Sequence, residues 1–218
     1  MDKSASNLTI KDTSGNGKVT GSSQIVVVYD GKFTLESGTI EATNDTSGLG
    51  AINQSKGTVT INGGEIKTTT TSSSGGYGIY VGNGKTIING GKITVNATYT
   101  GNTSNYYAYG VYQSSSANEL IVNSCEINVK CTNNNGSENP TGLYLSAYAF
   151  GFGQRDKVTK PAIISSEVTI NLESYTNTSG DCYICNFANY SNRTNEVNYL
   201  YGETPITTVK FTVLNKES

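Results

Sequence analysis

One short phrase returns along this chain: an apolar residue, four mostly small or polar residues, then a second apolar residue. It reads Leu35-Glu-Ser-Gly-Thr-Ile40, Ile61-Asn-Gly-Gly-Glu-Ile66, Ile88-Asn-Gly-Gly-Lys-Ile93 and Val122-Asn-Ser-Cys-Glu-Ile127. Looser copies follow at Ile163-Ile-Ser-Ser-Glu-Val168 and Ile206-Thr-Thr-Val-Lys-Phe211. Successive copies begin 26, 27, 34, 41 and 43 residues apart. Units of that size cannot bury an apolar face alone; they do so by stacking on their own copies.

Each unit reads as strands. Two residues beyond the second apolar position stand Ala42, Thr68, Val95, Val129, Ile170 and Val213. Ile93-x-Val95 and Ile127-x-Val129 therefore alternate with period two, as half-buried strands do. Phe33-x-Leu35, Val59-x-Ile61 and Leu120-x-Val122 do the same before the phrase. Between the two strands lie Ser37-Gly38, Gly63-Gly64, Gly90-Gly91, Ser124-Cys125 and Ser165-Ser166, small residues that suit a sharp corner. A third motif follows at Gly50-Ala-Ile52, Gly78-Ile-Tyr80, Gly110-Val-Tyr112, Gly142-Leu-Tyr144 and Cys182-Tyr-Ile184.

Three strands and three corners per unit, with no helical spacing, predict an all-β chain. Equivalent strands one turn apart pair in parallel, and parallel crossovers are right-handed by strong default. The expected fold is a right-handed parallel β-helix of about six to seven rungs, roughly 30 Å long at ~4.8 Å per rung. Residues 1–218 read as a single domain, with 1–30 an irregular first rung or cap and 186–218 the last rung and C-terminal cap. Unit length grows between strands two and three, at 98–108, 132–140 and 175–181, and after strand three, at 147–160 and 186–204. Insertions gathered at particular corners widen one face, often the binding face of a solenoid.

Composition supports strands over disorder. Apolar residues reach only 35% and charged ones 15%, yet 15 Tyr and a net charge of -2 are unlike a disordered chain. The 15 Lys and Arg form no basic stripe, so a nucleic-acid partner is not expected. No apolar stretch approaches the ~18 residues of a membrane span. Met1-Asp2-Lys3 leads straight into polar residues without a signal peptide, and the expectation is a start residue added to an excised mature domain.

The chain has no His, which removes Ser-His-Asp and Cys-His catalysis and His-containing metal sites. Cys182-Tyr-Ile-Cys185 has a redox or zinc half-site spacing, but strand positions three apart face opposite ways, so a buried structural role is expected. A Cys125–Cys131 disulfide is conceivable in a secreted protein. A non-enzymatic chain is expected; the alternative, a polysaccharide lyase or glycoside hydrolase, needs two carboxylates close together. The best column, Thr39, Glu65, Lys92, Glu126, Glu167 and Lys210, alternates in sign and reads as an ion ladder. Within it, Glu126 and Glu167 are the one pair that suggests a metal site, with calcium as the only cofactor entertained. No catalytic residue is assigned. Asn62, Asn89 and Asn123 read as a hydrogen-bonded ladder at a corner.

The third strand is the richest in chemistry. Ala51, Ile79, Val111 and Leu143 read as an inward aliphatic column, which turns Tyr80, Tyr112 and Tyr144 outward, with Tyr77, Tyr106, Tyr107 and Tyr109 close by. Exposed aromatics beside polar loops suit sugar rings. The candidate ligand-binding residues are Tyr80, Tyr112, Tyr144, Tyr77 and Tyr109.

Leu8-Thr-Ile-Lys-Asp12, Gly15-Asn-Gly-Lys-Val19-Thr-Gly21, Gly31-Lys-Phe-Thr-Leu-Glu-Ser-Gly-Thr-Ile40 and Gly57-Thr-Val-Thr-Ile-Asn-Gly-Gly-Glu-Ile66 resemble repeats of secreted right-handed parallel β-helix proteins of Gram-positive bacterial surfaces. Similar repeats occur in phage structural proteins. The resemblance covers residues 8–130 well and the rest loosely. It implies an extracellular, secreted or cell-surface module of carbohydrate-binding or adhesin type, with a glycan or host-surface ligand and a homo-oligomer as conceivable partners. The alternative it implies is a structural stalk or decoration module of a bacterial surface or phage particle. No functional residue carries over, because the shared motifs are corners and core.

Overall fold

Nineteen strands, β1 to β19 in chain order, build the described part of the chain, with no helix among the described residues. In this computed structural model the described residues are 6–43, 50–71, 75–99, 106–115, 118–133, 145–152, 163–164, 167–174, 180–187 and 210–215. The strands sort into three sheets, and every pairing between named strands is parallel.

Sheet A stacks β1 (Asn7–Ile10), β4 (Lys32–Leu35), β7 (Thr58–Ile61), β10 (Gly84–Ile88), β13 (Asn118–Val122) and β16 (Ile163–Ile164). Sheet B stacks β2 (Lys18–Gly21), β5 (Thr39–Thr43), β8 (Glu65–Thr70), β11 (Lys92–Tyr99), β14 (Cys125–Asn133), β17 (Val168–Ser174) and β19 (Lys210–Asn215). Sheet C stacks β3 (Val26–Val28), β6 (Ile52–Gln54), β9 (Gly76–Val81), β12 (Tyr106–Gln113), β15 (Leu145–Phe152) and β18 (Gly180–Phe187). The chain thus visits A, B and C in turn, which is a parallel β-helix with three strands per rung.

The recurring phrase is the end of a sheet A strand, the corner, and the start of a sheet B strand. Its first apolar residues, Leu35, Ile61, Ile88 and Val122, pair in register and are fully buried. Its second ones, Ile40, Ile66, Ile93 and Ile127, form a matching column in sheet B, also at 0% exposure. Burying each such side chain contributes about 1.5–3 kcal/mol, so the columns are the main source of stability. At the corner itself, Gly38, Gly64 and Gly91 have positive φ (90, 78 and 89°). A Cβ on Gly64 would stand 2.4 Å from the Gly38 carbonyl oxygen, so the stacked corners leave no room for one.

The first rung is regular, with β1, β2 and β3 each paired to its copy. Leu8 and Val19 are nevertheless 54% and 42% exposed, whereas their register partners Phe33 and Ile40 are buried. They are the open end of the apolar columns.

The register corrects the later repeats. Val122 pairs with Ile164, and Ile127 with Ile170, so the fifth phrase is Ile164 to Ile170 with one extra corner residue. Val168 instead pairs with Cys125, and Leu172, not Ile170, pairs with Val129. In the sixth, Phe211 does continue the column by pairing with Ile170; Ile206 lies outside the described residues. The third strand shifts more: Val111 pairs with Phe150 and Tyr112 with Gly151, so β15 replaces the Gly142-Leu-Tyr144 motif. Residues 147–152, read from sequence as part of an insertion, are strand. Upstream, Ile52 rather than Ala51 pairs with Ile79.

Cys125 and Cys131 sit six positions apart on β14, about 20 Å at strand rise and far beyond disulfide reach, so that bridge is ruled out. Both are buried thiols. Burial pushes the Cys125 thiol up to about 12, which keeps it protonated and unreactive. The Asn ladder is present as expected: Asn123 Nδ2 donates to Asn89 Oδ1 at 2.7 Å, and Asn89 Nδ2 to Asn62 Oδ1 at 2.8 Å. Asn62 Nδ2 then donates to Glu36 Oε1 at 2.9 Å, which ends the run on a carboxylate.

Candidate functional site

Sheet C departs from simple alternation, and this departure builds the site. Along β9, Gly78 and Ile79 both turn inward. A Cβ on Gly78 would lie 2.6 Å from Ile93 Cγ2, and Ile79 is wholly buried. Two inward residues in succession place Tyr77 and Tyr80 on the same outer face although they are three apart; unbroken alternation would split them. β12 repeats the device. A Cβ on Gly110 would lie 2.5 Å from Ile127 Cγ2, Val111 is buried, and Tyr109 and Tyr112 emerge together. In β15 the inward pair is Ala149 and Phe150, and the outward positions are Tyr148 and Gly151.

Two outer columns result. One is Tyr77, Tyr109 and Tyr148, continued in register by Tyr183 of β18. The other is Val27, Asn53, Tyr80, Tyr112 and Gly151. In the first column the rings stack. Tyr77 and Tyr109 have centroids 5.4 Å apart at 7°, and Tyr109 and Tyr148 are 4.9 Å apart at 14°. In the second, Tyr80 and Tyr112 are 5.5 Å apart and tilted by 31°. Tyr112 leans on both Tyr77 and Tyr109, at 4.9 and 5.1 Å, and Tyr107 flanks Tyr148 at 6.0 Å. Gly151 is where the cluster closes over the backbone: a Cβ there would stand 2.4 Å from Tyr109 Cδ1 and 2.6 Å from Tyr112 Cδ2.

Of the sequence candidates, the fold brings Tyr77, Tyr80, Tyr109 and Tyr112 into one cluster. Tyr77, Tyr80 and Tyr112 are half-buried and reach solvent; Tyr109, at 4% exposure, is sandwiched between Tyr77 and Tyr148 and supports the others. Tyr144 lies outside the described residues, and the place proposed for it above Tyr112 is taken by Gly151. Tyr148 was missed because the Gly-x-Tyr motif at 142–144 drew the alignment away from β15. Tyr106 points into the core instead, packed 4.9 Å from Tyr99.

The phenols of Tyr77 and Tyr112 are held in their neutral form. Burial among the other rings, and then the nearby Tyr112 and Tyr80, push Tyr77 well above its ordinary value; burial and Tyr80 raise Tyr112 likewise. The cluster therefore offers hydroxyl donors and acceptors and ring edges, with most ring faces already turned to one another.

Several carboxylates are engaged on sheet B. Glu41 is flanked by Lys18 and Lys67, whose hydrogen bonds hold its carboxyl below the usual range. Glu65 accepts from Thr94 Oγ1 at 3.0 Å, while Glu126 takes Lys92 at 3.5 Å and Asn128 Nδ2 at 2.9 Å. Of the expected ion ladder, Thr39, Glu65, Lys92 and Glu126 stand in register, and Lys92–Glu126 closes as an ion pair. Glu126 and Glu167, the pair expected to suggest a calcium site, are not register partners: Glu126 pairs with Thr169, and Glu167 lies one residue before Val168, the partner of Cys125. Among the described residues no three His, Cys, Asp or Glu side chains gather as a metal site would need. Positions 182 and 185 pair in register with Ala147 and Phe150 of β15, and the side chains of Cys182 and Cys185 lie outside the described residues.

Comparison with protein-family models, with curated proteins and with solved structures returned no match to this chain.

Proposed function

We propose that the chain is a non-enzymatic, extracellular β-helix module whose sheet C face binds carbohydrate. The observation that carries this reading is the contiguous cluster of Tyr77, Tyr80, Tyr107, Tyr109, Tyr112 and Tyr148 on the outer side of one sheet. The core of the solenoid is a separate cluster on the inner side of the sheets, mostly Ile, Val, Leu and Ala with Phe33, Tyr99, Tyr106 and Phe150, and does not include Tyr77, Tyr80, Tyr107, Tyr109, Tyr112 or Tyr148. Ring edges and hydroxyls set on a rigid rung spacing suit a repeating, hydroxyl-rich ligand, and amphipathic aromatics lose little entropy on contact. The test is affinity electrophoresis or a glycan array on the parent chain and on a Tyr80→Ala/Tyr112→Ala variant with unchanged far-UV circular dichroism. Retention of at least one glycan by the parent and a tenfold or greater loss in the variant is expected; equal retention by both overturns the site.

One observation favours a second reading, a stalk or decoration module in a larger particle. Among the described residues β1, β2 and β3 each pair with a strand on one side only, and Leu8 and Val19 there are exposed. Edges of this kind are usually covered by neighbouring structure. Light scattering that gives a stable oligomer, together with silence on the glycan array, would select it.

A further inference from the structure

Charge is distributed unevenly over the three faces of the solenoid. Sheet A carries Lys32, Lys85 and Glu119, and sheet B carries Lys18, Glu41, Glu65, Lys67, Lys92, Glu126 and Lys130. Many of these pair with one another across rungs, as Lys85 does with Glu119 at 3.1 Å. In sheet C the strands β3, β6, β9, β12 and β15 contain no Asp, Glu, Lys or Arg over the five rungs whose side chains are described. What they turn outward is Val27, the Asn53 amide, which donates to Gln24 Oε1 at 2.8 Å, and the tyrosines.

We infer that the ligand of the tyrosine face is an uncharged glycan, not an acidic polysaccharide. This rests on the reading of that face as a carbohydrate site. An anionic polymer laid along β3, β6, β9, β12 and β15 would lose water from its carboxylates or sulfates and meet no Lys or Arg on those strands; that cost is several-fold larger than for a hydroxyl, which phenols and amides can repartner. A cationic polymer would find no carboxylate on these five strands, and the faces of Tyr109 that could hold a cation are covered by Tyr77 and Tyr148. The raised phenols of Tyr77 and Tyr112 keep the face uncharged through the physiological range. Calcium bridging of an acidic sugar has no carboxylate on these strands to start from.

Isothermal titration of the parent chain against soluble neutral polymers (glucan, galactan, mannan) and anionic ones (polygalacturonate, alginate, chondroitin sulfate), each at low and high salt and with or without EDTA, tests this. Expected is binding to a neutral polymer with Kd constant to within about twofold across salt and EDTA, since no ion pairs are screened. Binding to an anionic polymer that weakens with salt, and is lost in Tyr80→Ala/Tyr112→Ala, overturns the uncharged class while the tyrosine face stands as the site. Anionic binding unaffected by that variant overturns both. No binding to any polymer overturns the carbohydrate reading itself. The salt and EDTA measurements use the parent chain, so the outcome does not hang on whether the variant folds.

Discussion

Gly151 occupies the place in the outer column where a third tyrosine would stand, and the rings of Tyr109 and Tyr112 close over it. The rings pack against one another while Tyr77 and Tyr112 stay half-buried, and the titration of these two follows from that. Tyr77 is pushed above the ordinary phenol value of 10.0, first by burial and then by Tyr112 and Tyr80. Below about pH 10 both folded and unfolded chains keep this proton, so it has no effect on stability. Above it the unfolded chain releases the proton first, binds fewer protons than the folded one, and stability falls as pH rises toward the folded value. The melting temperature should therefore drop above pH 10, and Tyr77→Phe, which cannot ionise, should flatten that drop in thermal scans from pH 8 to 11. A variant that falls as steeply as the parent would remove Tyr77 as the cause. That the ring is half-buried, and so titrates abnormally, was not legible in the sequence; alternation alone places Tyr77 and Tyr80 on opposite faces.

At the scale of the strand and corner, the four clear copies of the phrase were read with the right register, because an apolar residue on each side of a small corner leaves few alignments. The fifth was slipped by one residue on sheet A and two on sheet B. Ile163-Ile164 offers two equivalent starts, and Val168-x-Ile170-x-Leu172 is a longer alternation into which either start fits. Only the pairing of Val122 with Ile164 and of Ile127 with Ile170 decides it. The corner ladder was legible because identical amides at one step per rung have one sensible use. Asn89 sits in its middle, donating to Asn62 and accepting from Asn123. Asn89→Ala breaks both bonds on an exposed edge and should cost about 1 kcal/mol, read as a lower urea midpoint with unchanged slope. Asn123→Ala, which breaks the described bond to Asn89 alone, should cost about half as much.

On the scale of the whole molecule, a solenoid buries its core rung against rung, so equivalent residues differ in worth by their distance from an open end. Ile93 lies in a central rung at 0% exposure, and Leu8 in the first at 54%. Ile93→Ala should destabilise by about 2–5 kcal/mol and Leu8→Ala by less than about 0.5 kcal/mol in urea unfolding. Equal losses would mean that the first rung is covered in solution, as the stalk reading requires. The sequence by itself determined the architecture: an apolar period of one rung, small corners and strand-length alternation admit stacked parallel strands and little else. Tertiary structure alone decided the candidate site. The kinks at Gly78, Gly110 and Ala149 put residues three apart on one face, the register set Gly151 and Tyr148 where sequence alignment placed Tyr144 and an insertion, and sorting the strands by sheet left β3, β6, β9, β12 and β15 without a charged residue. Each of these depends on which residues meet across rungs, and contacts across 24 or more residues of intervening chain are fixed by pairing and packing, not by local pattern.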